Sequence, residues 1–145
     1  MKALIVDDER LARKELMKLL EDHSGIEVIG EAQNADEAFE MIENLNPDLL
    51  FLDIQMPGKT GFQLLEMLDA VPLVIFTTAY DEYALQAFNV SAMDYLLKPI
   101  QPERLAEAIG KVMQKEKAKK EQQTSGEKKL GLNDQVFVKD GDKCW

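Results

Sequence analysis

Asp48-Leu49-Leu50-Phe51-Leu52-Asp53-Ile54-Gln55-Met56-Pro57-Gly58 is the stretch from which the fold of this chain can be read. Its apolar run, Leu49 to Leu52, has no polar alternation, as expected of a strand covered on both faces in a parallel sheet. The run stops at a carboxylate, Asp53, and Met56-Pro57-Gly58 then forces a turn. A strand that ends in Asp and breaks leaves that carboxylate at its carboxyl end, where open α/β sheets keep their sites. Asp53 is therefore the first candidate for a reactive group. The competing bland reading is a loop aspartate that caps the next element.

Outward from this stretch the same pattern repeats. Ala3 to Val6 is a short apolar run ending at Asp7-Asp8. Leu11, Ala12, Leu16, Leu19 and Leu20 then recur at helical spacing, which predicts a helix from Glu9 or Arg10 to just before Ser24-Gly25. Glu27 to Gly30 reads as a strand. Asn34 with Glu37 resembles a capping box ahead of a helix that buries Ala38, Met41, Ile42 and Leu45 and ends at Asn46-Pro47. After Asp53, a helix is predicted from about Gly61, using Phe62, Leu65 and Leu68. Val71-Pro72 precedes a strand from Leu73 to Thr77, followed by Thr78. A short helix around Glu82 to Phe88 sets Tyr83, Ala84 and Phe88 on one side. Asp94 to Leu97 is a fifth strand, ending at Lys98-Pro99. Pro102 opens a last helix with Leu105, Ile109, Val112 and Met113 as its core face.

Five strand–helix alternations imply an α/β fold with a doubly wound, five-stranded parallel sheet and helices on both faces, in one of a few topologies that include the flavodoxin-like one. From Gln114 to Lys129 the apolar content collapses, and Thr124-Ser125-Gly126 reads as a linker. Val136-Phe137-Val138, Asp140-Gly141 and Lys143-Cys144-Trp145 resemble a hairpin that has barely begun. The expected organisation is thus one domain over 1–120, a linker over 121–130, and the start of a second domain over 131–145.

Composition narrows the function. The chain has 145 residues and a net charge of −10. Residues 1 to 110 hold 21 acidic and 8 basic side chains, a net −13, and residues 111 to 145 hold 6 and 9, a net +3. So acidic a body repels phosphate backbones, and any contact with DNA is expected only through something attached to it. Cys144 is the single cysteine, which excludes an internal disulfide or a cysteine metal site. No apolar run approaches the roughly 18 residues of a membrane span, and the N-terminus lacks a signal pattern. A cytoplasmic protein without a membrane partner is the expectation.

In a doubly wound sheet the carboxyl ends share one edge, so Asp7, Asp8, Asp53, Thr78 and Lys98 are predicted to converge. Three crowded carboxylates repel one another and call for a cation. Mg²⁺, a hard ion that takes oxygen ligands, fits this donor set; zinc does not, because the single histidine, His23, falls at a helix end. A carboxylate beside Mg²⁺, a hydroxyl and a lysine suits phosphoryl transfer to the aspartate, giving an acyl phosphate. Three carboxylates, one Mg²⁺ and one lysine sum to zero charge, and an added phosphoryl group then draws on Lys98 and Thr78. Each residue has a plainer reading alone: Asp7 and Asp8 as helix N-terminal charges, Thr78 as a turn residue, Lys98 as a solvated charge and Tyr95 as packing.

Together, Asp7-Asp8, Asp53 with Met56-Pro57-Gly58, Thr78-Ala79, and Tyr95-Leu96-Leu97-Lys98-Pro99 resemble the receiver domain of two-component response regulators, over about residues 1 to 115. The resemblance implies that Asp53 accepts a phosphoryl group from a sensor histidine kinase. It implies Mg²⁺ on Asp8, Asp53 and the Gln55 backbone carbonyl, with Asp7 acting through water, and phosphoryl binding by Thr78 and Lys98. It further implies a cis peptide before Pro99, a switch at Tyr95, and dimerisation through the fourth helix, fifth strand and fifth helix. Thr78 to Phe88 and Val136 to Gly141 are similar to chains whose output is a LytTR-type DNA-binding domain, which implies control of transcription. Three alternatives stand beside this. A haloacid dehalogenase-type phosphatase needs an acid two residues after its nucleophile, where this chain has Gln55. A flavin or nucleotide binder would not set Asp7-Asp8-Glu9-Arg10 against a phosphate. A phosphorylation-independent scaffold has no need of the acid set.

Overall fold

The computed structural model describes the backbone of residues 1–132 and the side chains of residues 1–119. Met1–Ile109 is one compact unit, and a second unit begins at Gly110. The first unit holds five strands: β1 (Lys2–Val6), β2 (Glu27–Ala32), β3 (Leu49–Leu52), β4 (Leu73–Thr78) and β5 (Asp94–Leu97). Between them run α1 (Arg10–Leu20), α2 (Ala35–Leu45), α3 (Gly61–Met67) and α4 (Ala84–Asn89), and α5 spans Pro102–Leu132. All pairings are parallel and the strand order is β2-β1-β3-β4-β5. The doubly wound sheet read from the sequence is the one observed.

β3 is central, and Leu49, Leu50, Phe51 and Leu52 are all fully buried. Each such side chain contributes about 1.5–3 kcal/mol relative to an exposed position, so the run that announces the strand also anchors the core. The order reverses between β1 and β3: the chain leaves β1 for one edge and returns to build the other. That reversal sets a crevice beyond the carboxyl ends of these two strands.

Local chemistry ends the helices where the sequence suggests, with two refinements. Asn34 Oδ1 accepts the Glu37 N–H at 2.8 Å. Glu37 Oε1, however, accepts from the Gln33 N–H, one residue earlier than a full capping box requires. The complete box belongs to α3, where Thr60 Oγ1 accepts the Gln63 N–H and Gln63 Oε1 accepts the Thr60 N–H. Asn46 ends α2 in the left-handed region at φ 51°, a conformation asparagine tolerates.

The apolar stripes are not buried along their whole length. Leu11 on α1 is 68% exposed and Phe88 on α4 is 78% exposed, and Ala87 is the buried α4 residue. Helical periodicity locates an apolar stripe, but a stripe stays exposed wherever no element covers it. Leu45 and Met113 are likewise exposed rather than core. α5 continues through Thr124-Ser125-Gly126, so the stretch read as a linker has a helical backbone. These residues cost a helix up to about 1 kcal/mol each, the flanking Glu, Gln and Lys favour it, and there is no proline to stop it. The expected strand at 136–138 and hairpin at 140–145 lie outside the described residues.

Gly61 is a packing requirement that the sequence did not reveal. A Cβ there would lie 2.5 Å from the Asp53 carbonyl oxygen and 3.1 Å from Leu52 Cγ. The first turn of α3 thus sits directly on the end of β3, and the Gly61 N–H donates to the Ile54 carbonyl at 2.9 Å. A Cβ on Gly30 would instead meet the mobile tip of Met41. Gly61→Ala is expected to lower unfolding stability by about 1–3 kcal/mol, the range for overpacking against atoms that cannot yield. Gly30→Ala is expected to cost less, and urea midpoints of the two variants measure the difference.

Candidate functional site

Strand register assembles the site. Val6 pairs with Leu52, so Asp7 and Asp53 follow side by side on neighbouring strands. The ladder runs one step beyond both ends: the Asp7 N–H donates to the Ala32 carbonyl and the Asp53 N–H to the Val6 carbonyl. On the other side, Thr78 pairs with Leu97, and the Lys98 N–H donates to the Thr78 carbonyl at 2.8 Å. Five side chains expected to converge are therefore carried by three adjacent strand pairings.

Asp7 and Asp53 are each 4% exposed, whereas Asp8 is open to solvent. Carboxylate oxygens of Asp7, Asp8 and Asp53 all lie within 4.8 Å of one another. Asp7 is the most fully engaged of the three. Its Oδ1 accepts the Glu9 N–H at 2.9 Å, its Oδ2 accepts from Lys98 Nζ at 2.7 Å, and its carbonyl accepts from Arg13 Nη1 at 2.7 Å. Lys98 Nζ stands 3.6 Å from Asp53 Oδ2, a charge contact too long for a hydrogen bond. The lysine thus leans on Asp7 and leaves Asp53 less compensated.

The titration behaviour follows from this arrangement. Burial, reinforced by the Asp7 and Asp8 charges and only partly offset by Lys98, raises the Asp53 carboxyl to about 7 from an ordinary 3.8. Burial pulls Lys98 down, but the hydrogen bond to Asp7 and the Asp53, Asp7 and Glu9 charges outweigh it, so its net displacement is upward. The ammonium is therefore permanent. A pocket whose central acid is held back from ionising chiefly by burial and then by its acidic neighbours, and whose donors are all hard oxygens, fits a small divalent cation better than any soft-ligand metal.

The remaining candidates lie around this pocket. Thr78 is fully buried, and its hydroxyl accepts the Tyr80 N–H at 3.3 Å. The Lys98–Pro99 peptide is cis. Tyr95 is half-buried against the core and its hydroxyl donates to the Tyr80 carbonyl. Burial, more than the nearby Asp81 and Glu82, raises its pKa. Gln55 is exposed, and its side-chain amide donates to the Tyr83 hydroxyl.

Residues 3–110 match the family model of the response regulator receiver domain. The chain belongs to that family. This receiver is 54% identical over 117 residues to an uncharacterised response regulatory protein of Vibrio cholerae, covering 79% of this chain and 49% of that one. It is 50% identical over 115 residues to the transcriptional regulatory protein BtsR of Salmonella typhi, covering 78% of this chain and 48% of that one. The receiver chain thus spans about half the length of the curated relatives it matches. Among solved structures, the response regulatory domain of MrkE from Klebsiella pneumoniae superposes with a TM-score of 0.72 at 34% identity, covering 79% of this chain and 96% of that one. The REC domain of AraT from Geobacillus stearothermophilus gives 0.72 at 37% identity, covering 83% and 97%. Among the described residues no helix is long and apolar enough to cross a membrane.

Sequence reasoning missed Arg13, which clamps the Asp7 carbonyl while its Nε pairs with Glu31 at 2.9 Å. It also missed the Gln55–Tyr83 contact. Nothing local marks either one, because each partner lies on a different element.

For a carboxyl whose folded pKa exceeds its unfolded value, the folded state holds the extra proton. Stability is therefore lost as pH rises from about 4 to about 7. In chelator-treated receiver this loss is expected to reach at most about 4 kcal/mol. Asp53→Asn is expected to abolish most of it, making the variant more stable than the parent near pH 8 and comparable near pH 4, as read from urea midpoints across that range.

Proposed function

We propose that this receiver accepts a phosphoryl group on Asp53 from a sensor histidine kinase, with Mg²⁺ held by Asp8, Asp53 and the Gln55 backbone carbonyl and by Asp7 through water. The observation that carries the reading is the gathering of three carboxylates and one ammonium at the β1–β3 reversal, with Asp53 buried and farther from the ammonium than Asp7 is. When bound, Mg²⁺ supplies charge neutralisation for the acidic cluster and for phosphoryl oxygens. Asp53 Oδ attacks phosphorus in line, the P–N bond of the donor phosphohistidine breaks, and its electron pair returns to the imidazole. For that attack Asp53 must be ionised, so its elevated pKa makes neighbouring positive charge a condition of reaction. Lys98, fixed in its protonated form, moves from Asp7 toward an oxygen of the new acyl phosphate, and the Thr78 hydroxyl donates to another. The chain is an acceptor rather than an enzyme acting on external substrates; the acyl phosphate it forms is slowly lost to water.

In this reading Thr78 releases the Tyr80 N–H on turning to the phosphoryl group, and Tyr95 swings inward. The output surface is α4, β5 and the start of α5, where two receivers pair. Exposed Leu85, Phe88 and Leu97 support such a surface. DNA contact is assigned to a C-terminal domain of LytTR type that starts within 131–145, with 1–120 as receiver and 121–130 as connector. Its support is the similarity of Thr78 to Phe88 and Val136 to Gly141, and the role of the BtsR relatives as transcriptional regulators of which the match covers 48%. A cytoplasmic location follows from such a role.

Incubation with Mg²⁺ and acetyl phosphate, followed by intact-mass measurement, is the direct check. One phosphoryl adduct is expected on the parent and none on Asp53→Asn; Lys98→Ala is expected to slow its appearance at least tenfold. An adduct that survives Asp53→Asn, or no adduct on the parent, contradicts the reading.

A further inference from the structure

The helix that carries the exposed apolar surface is poorly anchored by its own contacts. α4 has six residues, Tyr83 at its N-cap makes no side-chain capping bond, and Ala87 is its one buried residue. Leu85 and Phe88 face solvent, at 73% and 78% exposure. Tyr83 itself supplies what the helix lacks. Its ring packs 6.2 Å from Phe62, which in turn lies 5.0 Å from fully buried Phe76, and the ring of Tyr80 meets it edge-on at 6.4 Å. Its carbonyl accepts the Ala87 N–H at 2.9 Å, joining ring and helix rigidly.

The Tyr83 hydroxyl reaches the loop behind Asp53, where it accepts from the Gln55 amide. Gln55 lies two residues beyond Asp53, just ahead of the turn that Gly58 completes at φ 88°. This tie is separate from the one through Tyr80. There the N–H is held by Thr78 Oγ1 and the carbonyl by the Tyr95 hydroxyl, and no atom is shared with Gln55.

We propose that the bond from the Gln55 amide to the Tyr83 hydroxyl is a latch that holds the N-terminus of α4 to the loop behind Asp53, so that the apolar α4 surface shifts when that loop does. The latch in the resting protein stands on geometry alone; its response to events at Asp53 rests on the phosphoryl-acceptor reading. Tyr83 is a positioning residue here. Its ring locates α4 whatever the state of the pocket, while its hydroxyl carries the information.

Hydrogen exchange over residues 80–90 of the full chain tests both halves. In chelated protein, Tyr83→Phe and Gln55→Ala are each expected to accelerate exchange about two- to tenfold, as loss of one ordinary hydrogen bond implies. The double variant is expected to exchange no faster than either single one, and sheet amides are expected to keep their rates. Unchanged exchange in Tyr83→Phe, multiplicative effects in the double variant, or general loosening of the sheet would overturn the latch. With Mg²⁺ and acetyl phosphate, exchange over 80–90 is expected to change in the parent and to change less than half as much in Tyr83→Phe, both carrying the same adduct by intact mass. Equal changes in the two overturn the coupling. Absence of any adduct on the parent overturns the acceptor reading and the coupling with it, while the resting comparison still decides the latch.

Discussion

The repulsion among Asp7, Asp8 and Asp53, and its incomplete relief by Lys98, is the constraint on which the rest of this receiver turns. Two of these carboxylates are buried at strand ends that the β1–β3 pairing sets side by side. Lys98, 91 residues from Asp7 in the chain, satisfies Asp7 and falls short of Asp53. The fold therefore maintains an acid in a place where its ionised form is penalised, as a site meant to receive added charge would need. Gly61 shows how closely the backbone is drawn around that acid, since even a methyl group there would collide with the Asp53 carbonyl.

How much of this could be read from the amino acids depended on whether the signal was local. Leu49 to Leu52 declare a two-sided strand by being uniformly apolar, and Asp53 and the Met56-Pro57-Gly58 turn close it, so the centre of the sheet was legible. Asp94 to Leu97 was legible as a short run closed by Lys98-Pro99, and the strand alternation then fixed which ends would meet. The convergence of Asp7, Asp8, Asp53 and Lys98 follows from topology rather than from any neighbour in sequence. The helix faces were less legible. Leu11 and Phe88 fall on apolar stripes, yet exposure is decided by what lies opposite, which no single helix encodes. Arg13 on the Asp7 carbonyl and Gln55 on Tyr83 were invisible, because a hydrogen bond between distant elements leaves no periodicity.

The acid pocket and the apolar surface of α4 are joined by side chains that the fold holds in two short chains. One runs through the Tyr80 backbone between Thr78 and Tyr95; the other runs through the Tyr83 ring to Gln55. A six-residue helix with one buried side chain has little packing of its own to resist displacement. A sheet bearing the acid pocket and a lightly packed helix bearing the apolar surface is the arrangement that the proposed phosphoryl switch calls for.

Burial and two acidic neighbours hold Asp53 back from ionising, and a divalent cation would relieve that penalty. The carboxyl ¹³C chemical shift of Asp53, followed by NMR against pH with chelator and then with saturating Mg²⁺, measures this directly. A midpoint near 7 is expected in the chelated protein, with a fall into or below the ordinary carboxylate range, about 4, once Mg²⁺ is added. An ordinary midpoint without the metal, or one that Mg²⁺ leaves in place, would contradict it.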